Sequence, residues 1–296
     1  MDKYSDQAAG LRRYSTNKGN AGSIPGKKAV CCLAVASGKG GVGKTFVSVN
    51  LAVALQRLGK QVLMVDADLG LANADIVFGV TPKYTLQDAL FMGRSFDEVV
   101  CKTPYGVHLL GASSGTKEMV SMGAARISML INELLRFANN YDVLLFDCAA
   151  GIDQNVTAFL SAAPQAIIVA TPQATSIMDA YALLKIIHQD KLTEQVGLIV
   201  NMSKQESQGQ KVLETLTRVA HNYLSNCNVD LLGIVPQSAA VSQALQKRRP
   251  LLDFDEDDPA AVRIKEIAKS ILQKRRGNTQ LGEQQAAKLL NSLMKA

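Results

Sequence analysis

A doubly wound α/β architecture, a mostly parallel sheet with helices on both faces, is what this sequence predicts. Three observations carry that expectation: short apolar runs with no polar alternation, amphipathic segments long enough to cross back over a sheet, and alternation of the two along the chain. The first run, Ala29–Ala36, reads as a strand buried on both faces, and Thr45–Leu58 as the helix after it. Val62–Val65, Val107–Leu110 and Val143–Phe146 supply the next strands, with Ala125–Asn139 as a crossing helix. Ala166–Ala170, Gly197–Val200 and Leu231–Val235 complete the set, separated by helices over Thr175–His188 and Gly209–Leu224. Last comes an acidic run, Asp253–Asp258, then Pro259 and a helical pattern ending in Lys274-Arg275-Arg276. Acids and a first-turn proline at the start, with bases at the end, match the helix dipole, so capping and solvation explain this charge run more simply than binding does.

Composition narrows the class. The 296 residues are 47% hydrophobic, 20% charged and 5% aromatic, which fits one large globular domain or two small ones. Disorder throughout, a collagen-like rod and a disulfide miniprotein are excluded. No stretch reaches the roughly 20 apolar residues of a spanning helix, and residues 1–28 lack the apolar core of a secretion signal, so a cytoplasmic location is expected. Five cysteines (Cys31, Cys32, Cys101, Cys148, Cys227) show no CxxC spacing and sit mostly in apolar runs, which weighs against metal, iron–sulfur and disulfide roles.

The net charge of +6 is unevenly spread. Residues 1–28 hold six basic and two acidic side chains and residues 273–296 hold five and one, which leaves the body between them at −2. Basic ends around a nearly neutral body suit an acidic partner such as anionic lipid or nucleic acid, or are solvated tails. The expected division is a flexible basic extension over 1–28, one α/β domain over 29–276, and a linker with a C-terminal amphipathic helix over 277–296.

The sharpest signal is Gly38-Lys39-Gly40-Gly41-Val42-Gly43-Lys44-Thr45, which satisfies G-x-x-x-x-G-K-[ST] between a predicted strand and a predicted helix. Glycines let backbone N–H groups converge on phosphate oxygens, and the following helix aims its N-terminal dipole at the same anion. In that pattern Lys44 reaches the outer phosphates and the Thr45 hydroxyl holds Mg²⁺. Val143-Leu144-Leu145-Phe146-Asp147 is an apolar strand ending in a carboxylate, which beside such a loop makes Asp147 a candidate holder of Mg²⁺, directly or through water.

The second lysine, Lys39, makes this loop resemble the deviant Walker A ATPases of the MinD/ParA family, a branch of the P-loop NTPases of SIMIBI type. The resemblance covers about residues 29–272. It implies that Lys39 crosses the interface of an ATP-bound homodimer to touch the partner's nucleotide. In Asp66-Ala67-Asp68 it implies that Asp68 orients or activates the attacking water and that Asp66 supports the metal region. It also places an adenine-contacting Asn201 and a base loop containing Pro236 at the ends of later strands, positions where turn formation is the competing explanation.

Three longer stretches, Asp66-Ala67-Asp68-Leu69-Gly70-Leu71-Ala72-Asn73-Ala74-Asp75, Asp147-Cys148-Ala149-Ala150-Gly151-Ile152 and 175–185, resemble the FlhG (FleN) group of MinD-like regulators of flagellar number. Ahead of the core, Asp6-Gln7-Ala8-Ala9-Gly10-Leu11-Arg12 is similar to that group's D-Q-A-x-x-L-R element, with Asp6, Gln7, Ala8, Leu11 and Arg12 at the matching positions. The resemblance implies an ATPase using ATP and Mg²⁺ that dimerises with ATP and meets the inner face of the cell membrane, at the pole. It implies opposition to a polar FlhF-type GTPase and restraint of a flagellar transcription activator, with switch-complex or polar landmark proteins as further partners. Asn73, Asp75 and Asp179 are the candidates for a surface that reports nucleotide state to them.

The C-terminal segment sets Ala286, Leu289, Leu290, Leu293 and Met294 on one helical face, with Lys288 and Lys295 beside it. Such a stripe suits an anionic membrane surface, more strongly when a dimer presents two copies; packing on its own domain or on a partner protein is the other reading. Three alternatives to the flagellar reading stay open: a MinD-type division-site regulator, a ParA-type positioning ATPase on DNA, and a non-catalytic module that sequesters a partner. Nucleic acid is disfavoured, since Lys247-Arg248-Arg249 and Lys274-Arg275-Arg276 fall near helix ends where bases suit the dipole.

Overall fold

The computed structural model describes residues 30–112, 122–193, 195–223 and 229–274. Within them the strands are β1 (Cys31–Ser37), β2 (Val62–Ala67), β3 (Cys101–Lys102), β4 (His108–Leu110), β5 (Val143–Ala150), β6 (Gln165–Ala170), β7 (Gln195–Ser203) and β8 (Val229–Pro236). They form one sheet in the order β3-β4-β2-β5-β1-β6-β7-β8, parallel except where β3 pairs with β4. The chain leaves β1 for β2 on one side, returns as β5 between them, then continues through β6 on the other side of β1. That reversal makes the C-terminal ends of β1, β5 and β2 the place where an open α/β sheet binds ligands.

Period-2 geometry explains the all-apolar strands. Leu33 and Val35 of β1, with Met64 of β2, join one core, while Ala34, Ala36, Leu63 and Val65 join the core on the opposite face. The first core is roofed by α1 (Lys44–Arg57), the short α2 (Ala74–Phe78) and α10 (Leu251–Phe254), and by α11 over 259–274. The second is roofed by α5 (Ala124–Phe137), α6 (Gln154–Ala162), α7 (Ala174–Gln189) and α8 (Glu206–Tyr223). Helix α1 is buried almost all round, and its one internal amide is satisfied: Asn50 Nδ2 donates to Phe46 O at 2.8 Å and Oδ1 accepts from Leu252 N at 3.1 Å.

Within the described residues each predicted strand and helix is present, with ends displaced by a few residues; Ala29, Leu224 and Arg275-Arg276, at expected element ends, and the helix expected within 277–296 lie outside them. Not foreseen were β3, α3 (Leu86–Met92), α4 (Phe96–Val99) and α9 (Ala239–Gln246), all short, together with α2, α6 and α10. The acidic run behaves as capping: Asp258 Oδ1 accepts from Ala260 N at 2.8 Å, and α11 begins at Pro259. The N-terminal element (Asp6, Gln7, Ala8, Leu11, Arg12) and the apolar stripe (Leu289, Leu290, Leu293, Met294) lie outside the described residues. Among those described, no helix is long and apolar enough to cross a membrane.

Candidate functional site

Strand β1 runs straight into the glycine-rich turn, and the turn into α1. Ser37 Oγ donates to Lys39 O at 2.9 Å, and Val47 N donates to Gly43 O at 3.0 Å, so the loop is stitched at both ends. Two glycines are demanded by identifiable contacts. A Cβ on Gly38 would sit 2.2 Å from the backbone of Asp179, so the glycine lets α7 approach the loop. Gly43 has φ +83°, in the left-handed region, and a Cβ there would lie 2.3 Å from Asn201 Nδ2. By contrast, a Cβ on Gly40 or Gly41 would meet nothing within 4 Å, which leaves the turn accessible to an anion.

The loop's inner end is buried and charged. Lys44 is 7% exposed, and its Nζ donates to Asp147 Oδ1 at 2.7 Å. Burial alone would push the ammonium's pKa down; the facing Asp147 carboxylate overrides it and holds the pKa above the ordinary lysine range. Ser48, one turn along α1, donates from Oγ to the same Oδ1 at 2.8 Å. Asp147 Oδ2 is buried with no hydrogen-bond partner, the orphaned acceptor expected where a cation or its water ligand binds. Thr45 Oγ1 accepts from Lys44 Nζ at 3.4 Å, so this hydroxyl and the Asp147 carboxylate share one ammonium donor. The donor set, a hydroxyl and a carboxylate oxygen at a phosphate loop, fits a hard cation such as Mg²⁺.

Asp66 is the strand partner of Asp147 in register. Both of its oxygens accept from backbone: Oδ1 from Asp68 N at 3.1 Å, Oδ2 from Asn73 N and Ala74 N at 3.0 Å each. Burial, with Asp147 adding to it, pushes its pKa up to about 7 against those N–H bonds. The geometry therefore gives Asp66 the job of holding the 68–74 segment in place. On that segment Asp68 is half-buried, with Oδ1 accepting from Leu71 N at 3.0 Å, and Asn73 Nδ2 donates to Leu71 O at 2.6 Å.

The outer end of the loop is different. Lys39 Nζ is exposed and donates to Thr175 Oγ1 at 2.9 Å and Gln173 Oε1 at 3.4 Å, at the start of α7. Leu71 is 70% exposed and Met178 72%, so large apolar side chains stand on the loop after β2 and on the first turns of α7. Asp179 is half-buried, and Asp75 carries a buried Oδ1 without a partner.

The two late-strand candidates separate. Pro236, at the end of β8, lines a cavity of about 440 Å³ with Ser203, Lys204, Asp257 and Arg263. Asn201 is buried and turned toward the loop, where Nδ2 donates to Val42 O at 2.8 Å. Sequence reasoning missed Ser48, Gln173 and Thr175. Ser48 had one legible signal, its i+4 spacing from Lys44, which puts both on one face of a helix; the α7 residues had none.

Comparison with known proteins agrees with this geometry. Residues 28–272 match the family described as "ParA: NUBPL iron-transfer P-loop NTPase". The chain is 38% identical over 239 residues to the antiactivator FleN of Pseudomonas aeruginosa, covering 81% of this chain and 85% of that one. It is 32% identical to the flagellum site-determining protein YlxH of Helicobacter pylori, covering 89% and 86%. Its fold matches that of the septum site-determining protein MinD of Pyrococcus horikoshii, solved with Mg-ADP, at TM-score 0.70 and 23% identity, over 82% of this chain and 96% of that one.

Proposed function

Because the chain belongs to the MinD/ParA family of P-loop ATPases, in its FlhG/FleN group, we propose that its nucleotide site drives a two-subunit switch that sets flagellar number. The protein is an ATPase that takes ATP with Mg²⁺ and regulates flagellar number. The single observation that carries the mechanism is the Lys44–Asp147 pair with its orphaned Oδ2, set at the end of a phosphate loop.

The buried pair explains how this site accepts a triphosphate. A buried ion pair barely repays its desolvation, so Lys44 gives up Asp147 readily when phosphate oxygens of greater charge arrive. Ser48 remains on Oδ1 and keeps the carboxylate aimed while Lys44 moves. Thr45 and Asp147 would hold the metal, with Asp66 behind them. When bound there, Mg²⁺ would neutralise the charge that develops on phosphate oxygens in phosphoryl transfer. Asp68 orients the attacking water, and its backbone N–H bond to Asp66 ties that position to the strand end. Pro236, at the end of β8, is the residue proposed to contact the base.

Lys39 is the residue proposed to reach the partner's nucleotide. It is held by two uncharged side chains on an exposed rim, so leaving them costs little. Leu71 and Met178 flank the same rim and supply apolar area for a subunit contact, with Asn73, Asp75 and Asp179 beside them. From this state the dimer restrains a flagellar transcription activator and opposes an FlhF-type GTPase, and the paired C-terminal stripes hold it at an anionic membrane surface. Vesicles rich in anionic lipid are expected to retain the protein with ATP and Mg²⁺ and to lose it after removal of 283–296; equal retention would refute the membrane step.

The mechanism is tested by single-turnover phosphate release. Asp68→Ala is expected to bind ATP normally and to release phosphate at least about 100-fold more slowly. Release at the parental rate would remove Asp68 from the reaction, and return of intact ATP by the unsubstituted protein would favour the sequestering module instead.

A further inference from the structure

We propose that Asn201 is a positioning residue for the phosphate loop, holding the Val42 carbonyl so that the adjoining N–H is presented to phosphate; this rests on the nucleotide reading above. Asn201 is 3% exposed, and its Nδ2 donates to Val42 O at 2.8 Å across 159 residues of sequence. The peptide between Val42 and Gly43 is planar and trans, so its C=O and N–H point in opposite directions. Pinning the carbonyl to Asn201 therefore directs the Gly43 N–H away from Asn201, to the opposite side of the turn.

Strand β7 is shaped to make this contact. Its pairing with β8 passes from Val200↔Ile234 to Ser203↔Pro236, so β7 spends one more residue than β8 over that interval. Such a bulge re-aims side chains near a site. Met202, inside it, has φ +56°, a left-handed conformation that a methionine adopts only when its surroundings impose it. Both bulge side chains reach the same loop residue: a Cβ on Gly43 would lie 2.3 Å from Asn201 Nδ2 and 3.4 Å from Met202 Cε. An asparagine serving only to contact a purine needs no bond to the loop backbone and no glycine beside it.

The test uses the full chain, first without nucleotide. Hydrogen exchange over 38–45 is followed in the unsubstituted protein, in Asn201→Ala, and in Asn201→Asp, which keeps the shape and removes the donor. Exchange across the loop is expected to quicken several-fold in both variants while β5 stays unchanged, and affinity for ATP with Mg²⁺ to fall roughly 5- to 30-fold. Unchanged loop exchange overturns the proposal even if affinity falls, because that pattern belongs to a base contact alone. Faster exchange with equal or tighter ATP binding also overturns it, since Asn201 would then be a latch of the ligand-free state. If Asn201→Ala does not fold, the aspartate variant decides. Absence of ATP binding by the unsubstituted chain would instead defeat the nucleotide reading and leave the exchange result standing.

Discussion

Lys44 and Lys39 stand five residues apart in one loop, yet their surroundings are opposite. Lys44 is buried, ion-paired to Asp147, and set among groups whose pKa values are displaced. Lys39 is half-buried, and its ammonium donates to two neutral side chains at the start of α7. Burial makes the inner end a site complete within one subunit, where losing a partner leaves a charge stranded in low dielectric. The outer end carries no such penalty and keeps its cation available. The inner region should therefore show large intrinsic effects on folding and nucleotide binding, and the outer region small ones that emerge only when two chains meet.

The largest effect sharpens the inner half. Lys44→Ala removes the phosphate contact and leaves Asp147 buried without its cation, so calorimetry should find no measurable ATP binding, and ligand-free stability should fall by about 3–5 kcal/mol in urea melts. A tolerant response in both assays would mean that the pair is not intrinsic to the folded site.

Next in size is a pH effect at Asp66. Its folded pKa of about 7 lies above the ordinary value of 3.8, so the folded chain holds this proton more tightly than the unfolded one. The sign follows: stability from this group is complete below about 3.8 and is lost as pH rises through about 7, a span on the order of 4 kcal/mol. Melting of the ligand-free protein between pH 5 and 8 should show this decline, and Asp66→Asn should flatten it. An unchanged profile in that variant would assign the decline to another group.

Ser48→Ala comes third. It deletes one donor to Asp147 Oδ1 and leaves Lys44 in place, so the urea midpoint should drop by the equivalent of about 1.5 kcal/mol. Smallest is Lys39→Ala: thermal stability within about 0.5 kcal/mol of the parent, and unchanged affinity of the single subunit for ATP, both checked under dilute conditions. A Lys39 effect as large as that of Lys44 would erase the division between the two ends.

The same division explains what could be read from the sequence. The loop was legible because its function dictates residue types: a glycine turn, a lysine and a hydroxyl at set spacing between a strand and a helix. Buried parallel strands were legible because both faces are apolar. Asp147 could be found because a carboxylate follows the apolar run Val143–Phe146, although β5 itself continues to Ala150. The reason for Gly38 could not, since it answers to the backbone of Asp179, far off in sequence. Nor could the turning of Asn201 toward Val42, which depends on a bulge one residue long in β7. The resemblance gives Asp66 a supporting role in the metal region; the structure adds that its oxygens accept from the N–H groups of 68, 73 and 74. The two-residue β3 and the four-residue α4 are too short for periodicity to register.

Mass measured by light scattering on nucleotide-stripped protein, with Mg²⁺ and either ADP or slowly hydrolysed ATP in Asp68→Ala, addresses the switch directly. The expected result is one subunit with ADP, two with ATP, and one again with ATP once Lys39→Ala is added although nucleotide remains bound. A single subunit under every condition, or a dimer indifferent to Lys39, would contradict the claim that the exposed end of this loop joins two chains through their nucleotides.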